Sequence, residues 1–246
     1  MTLLVNEIHV QGNLQNSFIL QVADQRITLK GAFHSNRKKL FRIPYLNAGV
    51  GYFGLAQINS KEFISSWLPN FIRHTAGTKT LEDFSRQLCE RLNREVSKTF
   101  LAKTPSGFHV CGYNAKNFPE LWFVRNIYEM DGNTYKEFGS EYIVSEDFLT
   151  RDAHKMGFDG TNPDVNDTFV QYYVNGDIRP FHSIWIQLNQ FIATMLSEAD
   201  FEQPKYVSDL GKIAKWKMWV VSSFYKQFAK NQNIGTPVDE FVLIPQ

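Results

Sequence analysis

Val22-Ala23-Asp24-Gln25-Arg26-Ile27-Thr28 is the stretch on which the reading of this chain turns. Side chains at alternate positions of a strand share one face, so Asp24, Arg26 and Thr28 are expected on the same side of an otherwise apolar strand. An acid and a base in such a place are costly unless each finds a partner. Candidate partners follow closely. Lys38 and Lys39 precede Leu40-Phe41-Arg42-Ile43, and then comes the glycine-rich run Ala48-Gly49-Val50-Gly51-Tyr52-Phe53-Gly54-Leu55-Ala56. Alone, these residues describe a salt-bridged strand beside a loop as well as they describe a site.

Working outward, Thr2 to Val10 reads as a strand, Gly12-Asn13 as a turn, and Phe18 to Thr28 as the second strand of a hairpin. Residues 30–36 read as a polar loop, Lys39 to Ile43 as a short strand, and Gly49 to Ala56 as a strand whose glycines permit close backbone approach. A helix capped by Asn59 or Ser60 carries Phe63, Ile64, Trp67, Leu68, Phe71 and Ile72 at helical spacing, with a kink or early end expected at Pro69. A second helix begins at Thr80, its core stripe running Leu81, Phe84, Leu88, Leu92 and Val96.

Gly107 to Tyr113 and Leu121 to Ile127 are expected strands. Asp131-Gly132 is an expected turn, and Tyr135 to Ser140 a short strand. Residues 144–166 look like an irregular insertion. Val165 to Ala199 is expected to be helical, broken near Gly176 and Pro180. Trp216, Val220, Phe224 and Phe228 mark a last helix, and Val238 to Ile244 a closing strand. Strands, helices, strands, helices and a strand in that order give an α+β architecture without an alternating parallel sheet. No linker or repeat interrupts it, so one domain over residues 1–246 is expected.

The bulk numbers narrow the function. The 246 residues are 43% hydrophobic and 21% charged, enough to build a core, and the net charge of +1 argues against a general nucleic-acid binder. The apolar runs fall well short of the roughly 18 residues of a membrane span. The start lacks a basic region and carries Glu7 early, so a cytoplasmic protein is expected. Cys89 and Cys111 suggest neither a disulfide framework nor a zinc site. The histidines lack metal-ligand spacing, so no metal or cofactor is expected.

Taken together, the short motifs resemble proteasome-type β subunits of the N-terminal nucleophile hydrolases. Ala23-Asp24-Gln25-Arg26-Ile27-Thr28 is similar to their A-D-x-R-x-T segment and Lys39-Leu40-Phe41-Arg42-Ile43 to their K-I-x-x-I strand. Gly54-Leu55-Ala56 is similar to their G-x-A oxyanion turn, and Val110-Cys111-Gly112-Tyr113 to their central hairpin. Phe138-Gly139-Ser140 resembles their x-G-S-G turn, and Ile234-Gly235-Thr236-Pro237-Val238-Asp239 their closing strand. The matches keep the family's order over nearly the whole chain. The resemblance implies a four-layer αββα sandwich, with two antiparallel sheets between helix layers.

It also implies a chemistry. Thr2 stands where the family's nucleophile would stand once Met1 is lost, and no further processing is expected. A free α-amine, with an unperturbed pKa of about 7.7–8.0, could take the proton of the threonine Oγ near neutral pH. Lys39 would supply a nearby positive charge, Asp24 would hold it, and the Gly54 N–H would be the oxyanion donor. Ser140 could bond the α-amine, and Arg26 would brace the strand. The family's acid before the closing strand is missing, since Asn231 or Gln232 falls there, and the first hairpin is longer than the family's. Two functions follow: a threonine-type amide hydrolase acting on a peptide or amide substrate, or a silent subunit used for assembly or binding. A homo-oligomer, in rings or stacks, is implied by the resemblance. A small-molecule binder built on Trp122 and Trp185 has no supporting motif.

Overall fold

The first hairpin is made of two runs of apolar residues buried on both faces. β1 (Leu3–Gln11) and β2 (Phe18–Asp24) pair antiparallel, from Leu4 opposite Ala23 to His9 opposite Phe18. β10 (Thr168–Gly176) joins β1, and β11 (Val238–Leu243) joins β2, giving an antiparallel sheet in the order β10-β1-β2-β11. Leu3, Val5, Leu20 and Val22 point to one side and pack with Ala214, Met218 and Val221 of the helix α6 (Val207–Phe228). Leu4, Ile8, Ile19 and Ala23 point to the other. Each large apolar side chain buried this way contributes roughly 1.5–3 kcal/mol.

What they meet is a second sheet, again antiparallel: β5 (Leu40–Ile43), β6 (Ala48–Phe53), β7 (Gly107–Tyr113), β8 (Pro119–Asp131) and β9 (Thr134–Ser145), in that order. Leu40, Phe53 and Ile127 share a cluster with Leu4 and Ala23 of the first sheet. The approach is close enough that a Cβ on Gly51 would come within 2.6 Å of Leu40 and 2.8 Å of Leu4. Val50, Tyr52, Phe108, Val110 and Val124, on the far face, pack against α1 (Ile64–His74) and α2 (Leu81–Glu95). A polar cluster sits where the sheets touch. The ring nitrogens of buried His109 lie 2.5 Å and 2.9 Å from the side-chain amides of Asn6 and Asn175, and Gln21 donates to Asn6.

The structure, a computed structural model, describes residues 2–29, 32–131, 134–145, 148–158, 168–198 and 200–246. Met1, the Lys30-Gly31 pair, Gly132 of the expected turn and residues 159–166 of the expected insertion lie outside the described residues. Several expectations are corrected. Phe18 to Thr28 is not one strand: the chain leaves β2 at Asp24, and Arg26–Leu29 (β3) pairs with Ala32–Asn36 (β4) in a separate hairpin. Asp24 itself makes the break, because its Oδ2 accepts the Arg26 backbone N–H at 3.0 Å. Thus Asp24 and Arg26 do not share a strand face, and residues 32–36 are strand, not loop.

Within the expected helix over 165–199, the described residues form β10 and then a helical segment that includes a π-type turn, Phe181–Trp185, and continues as α5 (Ile186–Ser197). Phe169, Val170, Tyr172, Tyr173 and Val174 are strand-forming residues, and pairing with the free edge of β1 decides their state. Residues 148–155 of the expected insertion form a helix, α4 (Phe148–Lys155). α1 starts at Ile64, later than Asn59, because Asn59 Oδ1 accepts from Lys61 and Glu62 in a turn ahead of it. It passes Pro69 and runs to His74, held by buried Trp67, Leu68, Phe71 and Ile72 on either side of the proline. Cys89 and Cys111 are both buried.

Candidate active site

The ends of strands from both sheets converge on Thr2. Its carbonyl accepts the Asp177 N–H at 2.6 Å, and the next amide, that of Leu3, donates to Asp24 Oδ1 at 2.9 Å. The backbone around residue 2 is therefore fixed from two sides. The residue is buried, and Thr2 Oγ1 has no hydrogen-bond partner among the described residues. Leaving a buried hydroxyl unpaired costs about 1–3 kcal/mol, a cost Thr2 shares with Ser85 and Ser222.

Thr2 lines a small cavity of about 30 Å³ together with Arg26, Thr28, Lys39, Tyr52 and Gly54, room for a water molecule or two. Lys39, just before β5, is fully enclosed. Its Nζ donates to Asp24 Oδ2 at 3.3 Å and to the Arg26 carbonyl at 2.6 Å, and its backbone N–H donates to Asp239 Oδ2 at 2.7 Å. Burial pulls the Lys39 pKa below the ordinary lysine value, while the Asp24 and Asp239 carboxylates act against that fall. The Thr2 hydroxyl and the Lys39 ammonium share the cavity without bonding each other, since the lysine donates to Asp24 and Arg26.

Gly54 closes β6 at the cavity wall with φ of +79°, and a Cβ there would run into the Pro105 carbonyl oxygen. Only glycine adopts this conformation freely. Arg26 contributes its carbonyl to the cavity and sends its guanidinium elsewhere, over the Phe33 ring at 4.7 Å and to Gln232 Oε1 at 3.2 Å. Gln232 thus holds this arginine. Ser140 lies in the middle of β9, half-buried, and does not line the cavity. The motif around it is part of a long strand whose register shifts against β8, not a turn. The extra length of the first hairpin sits at its tip, around Gly12 to Asn16, the end of the β1–β2 ladder away from Thr2 and Asp24.

Sequence reasoning missed the segment that clamps Thr2 from the β10 side. Gly176, at φ of +96°, packs directly against the Thr2 carbonyl, so any Cβ there would overlap it. The Tyr135 hydroxyl accepts the Gly176 N–H at 2.8 Å, and the Asp177 carboxylate is gripped by Arg179 and by the Tyr225 hydroxyl at 3.0 Å. Burial alone would raise the Asp177 pKa, but Arg179 and Tyr225 outweigh it and hold the carboxyl below its ordinary value. The available signal was Asn175-Gly176-Asp177, a turn signature that marks a break without saying what lies across it.

Among the described residues, no group of three or more His, Cys, Asp or Glu side chains is arranged to hold a metal ion, and no helix is long and apolar enough to cross a membrane. Compared with known proteins, the chain matches no family model and no curated protein.

Proposed function

We propose that this chain is a proteasome-like N-terminal nucleophile hydrolase that cleaves a peptide or other amide bond with Thr2 after Met1 is removed. The observation that carries this reading is the unpaired, buried hydroxyl of Thr2 in one cavity with a buried lysine and a glycine of left-handed conformation. The four-layer αββα sandwich of that superfamily belongs to the same reading. Its support is the pair of facing antiparallel sheets, with α1 and α2 against one outer face and α6 against the other.

The steps follow from the groups present. The α-amine freed by loss of Met1 takes the proton from Thr2 Oγ, and Oγ attacks the substrate carbonyl carbon. The Gly54 N–H meets the developing oxyanion, and Lys39, fixed by Asp24, adds a positive field in a site that excludes bulk water. Collapse breaks the C–N bond, the leaving amine takes the proton held by the α-amine, and an ester on Thr2 remains. Water then attacks the ester with the amine again as base, releasing the acid and restoring the hydroxyl. Arg26 acts through its carbonyl on Lys39. Ser140 has no part in these steps, and the backbone clamp from Asp177 orients Thr2.

A second reading, a silent subunit used in assembly, draws on a specific feature. Trp216, Trp219, Phe224 and Phe228 stand exposed on the outer face of α6, an apolar surface of the kind that marks association. The replacement of the family's acid by Gln232 points the same way. The two readings are separated by the intact mass of the natural protein and by an electrophile that acylates N-terminal threonines. Loss of Met1 with labelling at residue 2 supports the hydrolase. Retained Met1, or no labelling at saturating dose, leaves the assembly subunit.

A further inference from the structure

Thr2 stands just ahead of β1, and Asp177, which bonds its carbonyl, stands just past β10. One side chain of the second sheet reaches both of these strands. Asn6 alternates with Leu4 and Ile8 along β1, and Asn175 lies opposite Leu4 in the β1–β10 ladder, so both amides face the second sheet. Between them, fully buried, is His109 of β7, with Nδ1 2.5 Å from Asn6 Nδ2 and Nε2 2.9 Å from the Asn175 amide. Phe123, edge-on at 4.7 Å, fixes the plane of the ring. We propose, building on the hydrolase reading, that His109 is a positioning residue: it locks the ends of β1 and β10 together and thereby sets the orientation of Thr2, without touching the reacting atoms.

The hydrogen bonds define the bridge. A neutral imidazole has one N–H and one bare nitrogen. Asn6 Oδ1 accepts from Gln21 Nε2 at 2.5 Å, and Asn6 Nδ2 also donates to the Tyr173 carbonyl at 3.2 Å, so Asn6 presents its NH2 to the ring. Nδ1 is therefore the bare nitrogen, and the Nε2–H is directed at Asn175. Asn175 passes the constraint on through the Tyr135 hydroxyl of β9, which lies 3.2 Å from Asn175 Oδ1 and accepts the Gly176 N–H at 2.8 Å. Asn126 steadies β9 in turn, its Nδ2 donating at 3.0 Å to the Gly139 carbonyl and to that of Leu101 in the short helix α3 (Lys98–Leu101). Gly176 packs on the Thr2 carbonyl. From the ring to Thr2, each link is a hydrogen bond or a direct packing contact.

The Thr2 hydroxyl bonds nothing among the described residues, so the backbone clamp carries its placement. His109 does not line the Thr2 cavity, and its effect travels through the two strands. An apolar side chain at 109 would strand the Asn6 and Asn175 amides in a dry interface, whereas a glutamine could still accept from one and donate to the other. A displacement of about 1 Å at a reacting group costs up to about 100-fold in rate.

The test uses protein lacking Met1 and a peptidyl epoxyketone, with labelling at Thr2 followed by intact mass over a range of probe concentrations. His109→Leu is expected to lower the saturating rate at least about 10-fold, with the half-saturating concentration near the parent's. His109→Gln is expected to recover most of the rate. Tyr135→Phe, at a half-buried position, cuts the next link; it is expected to show the same fall and carries the test should His109→Leu not fold. Val110→Ala opens a void on the opposite face of β7 and controls for general loss of stability, its rate expected to match the parent's. Hydrogen exchange gives a readout without chemistry: the Asp177 N–H is expected to exchange faster in His109→Leu and Tyr135→Phe than in Val110→Ala. A parental rate in folded His109→Leu, or an equal fall in Val110→Ala, would overturn the assignment and leave the hydrolase reading in place. An unlabelled parent would remove the hydrolase reading; Asp177 exchange would then decide the bridge by itself, faster exchange in His109→Leu keeping it as the anchor of residue 2 and unchanged exchange removing it too.

Discussion

Lys39 Nζ stands 3.3 Å from Asp24 Oδ2, with the lysine side chain 2% exposed and the aspartate 0%. A pair so enclosed is strongly asymmetric under mutation. Asp24→Asn removes the charge that compensates Lys39 and is expected to lower stability by about 3–5 kcal/mol. Lys39→Met leaves Asp24 its bonds to the Leu3 and Arg26 amides and is expected to cost less. Urea midpoints of the two variants give the comparison, and an equal or reversed order would contradict it. Both variants are expected to lose labelling at Thr2.

Thr2→Val tests the unpaired hydroxyl. Removing a buried group that bonds nothing relieves a desolvation cost, so this variant is expected to match or exceed the parent in thermal stability. Its reactivity toward an N-terminal-threonine electrophile is expected to disappear, while Thr2→Ser keeps part of it. A variant destabilised by more than about 1 kcal/mol would mean the hydroxyl has a structural partner after all.

Gly54→Ala puts a Cβ against the Pro105 carbonyl oxygen at a left-handed φ. Strain and overlap together are expected to cost about 2 kcal/mol or more, read as a lower midpoint in thermal unfolding. Gly77 is the control. A Cβ there meets nothing within 4 Å, and Gly77→Ala is expected to change stability by no more than about 0.5 kcal/mol.

His109 makes stability depend on pH. Burial between the sheets lowers its pKa from 6.5 to about 3. The unfolded chain therefore binds a proton near pH 6.5 that the folded chain refuses until about pH 3, and stability falls as pH drops through that window. The loss approaches roughly 1.4 kcal/mol per pH unit. Glu7 adds to it at the acid end. Burial alone would raise its pKa, but His9 and Lys217 hold it below the ordinary 4.5, so its contribution is also lost on acidification. Urea midpoints between pH 7 and 4.5 are expected to fall in the parent and to flatten in His109→Gln.

The aromatic face of α6 separates folding from association. Trp219 is 54% exposed and Phe228 69% exposed, whereas Ala214, Met218 and Val221 of the same helix are buried. Trp219→Ser with Phe224→Ser is expected to leave the unfolding midpoint within about 0.5 kcal/mol of the parent. If copies assemble through this face, light scattering will show a smaller particle for the double variant. An unchanged particle mass would locate the contact elsewhere.

The periodicities were easy to read where one face meets the core. The stripe Leu81, Phe84, Leu88 and Leu92 gave α2, and Gly107 to Tyr113 gave β7 with its ends intact. The reading failed where state depends on a distant partner. Thr168 to Gly176 is a strand because β1 offers it an edge, and Ser140 is in mid-strand because β8 pairs past it. Trp216, Phe224 and Phe228 did mark a helix, but they lie on its exposed side. Spacing reports a shared face without saying which face is inward.

The amino-acid order by itself determined which chemistry was at hand: a threonine at position 2, an aspartate and a lysine within one hairpin and strand, and a glycine ahead of a helix. Local residue types and short spacings suffice for that. Only the tertiary structure decided that Thr2 is clamped between Asp24 and Asp177, that Lys39 is sealed by Asp24 and Arg26, and that Ser140 stands apart. Those relations cross between separate strands, over 13 to 21 positions for the contacts with Asp24 and Arg26 and over 175 (177−2) for Thr2 with Asp177, and the energy that fixes them comes from contacts no local pattern encodes.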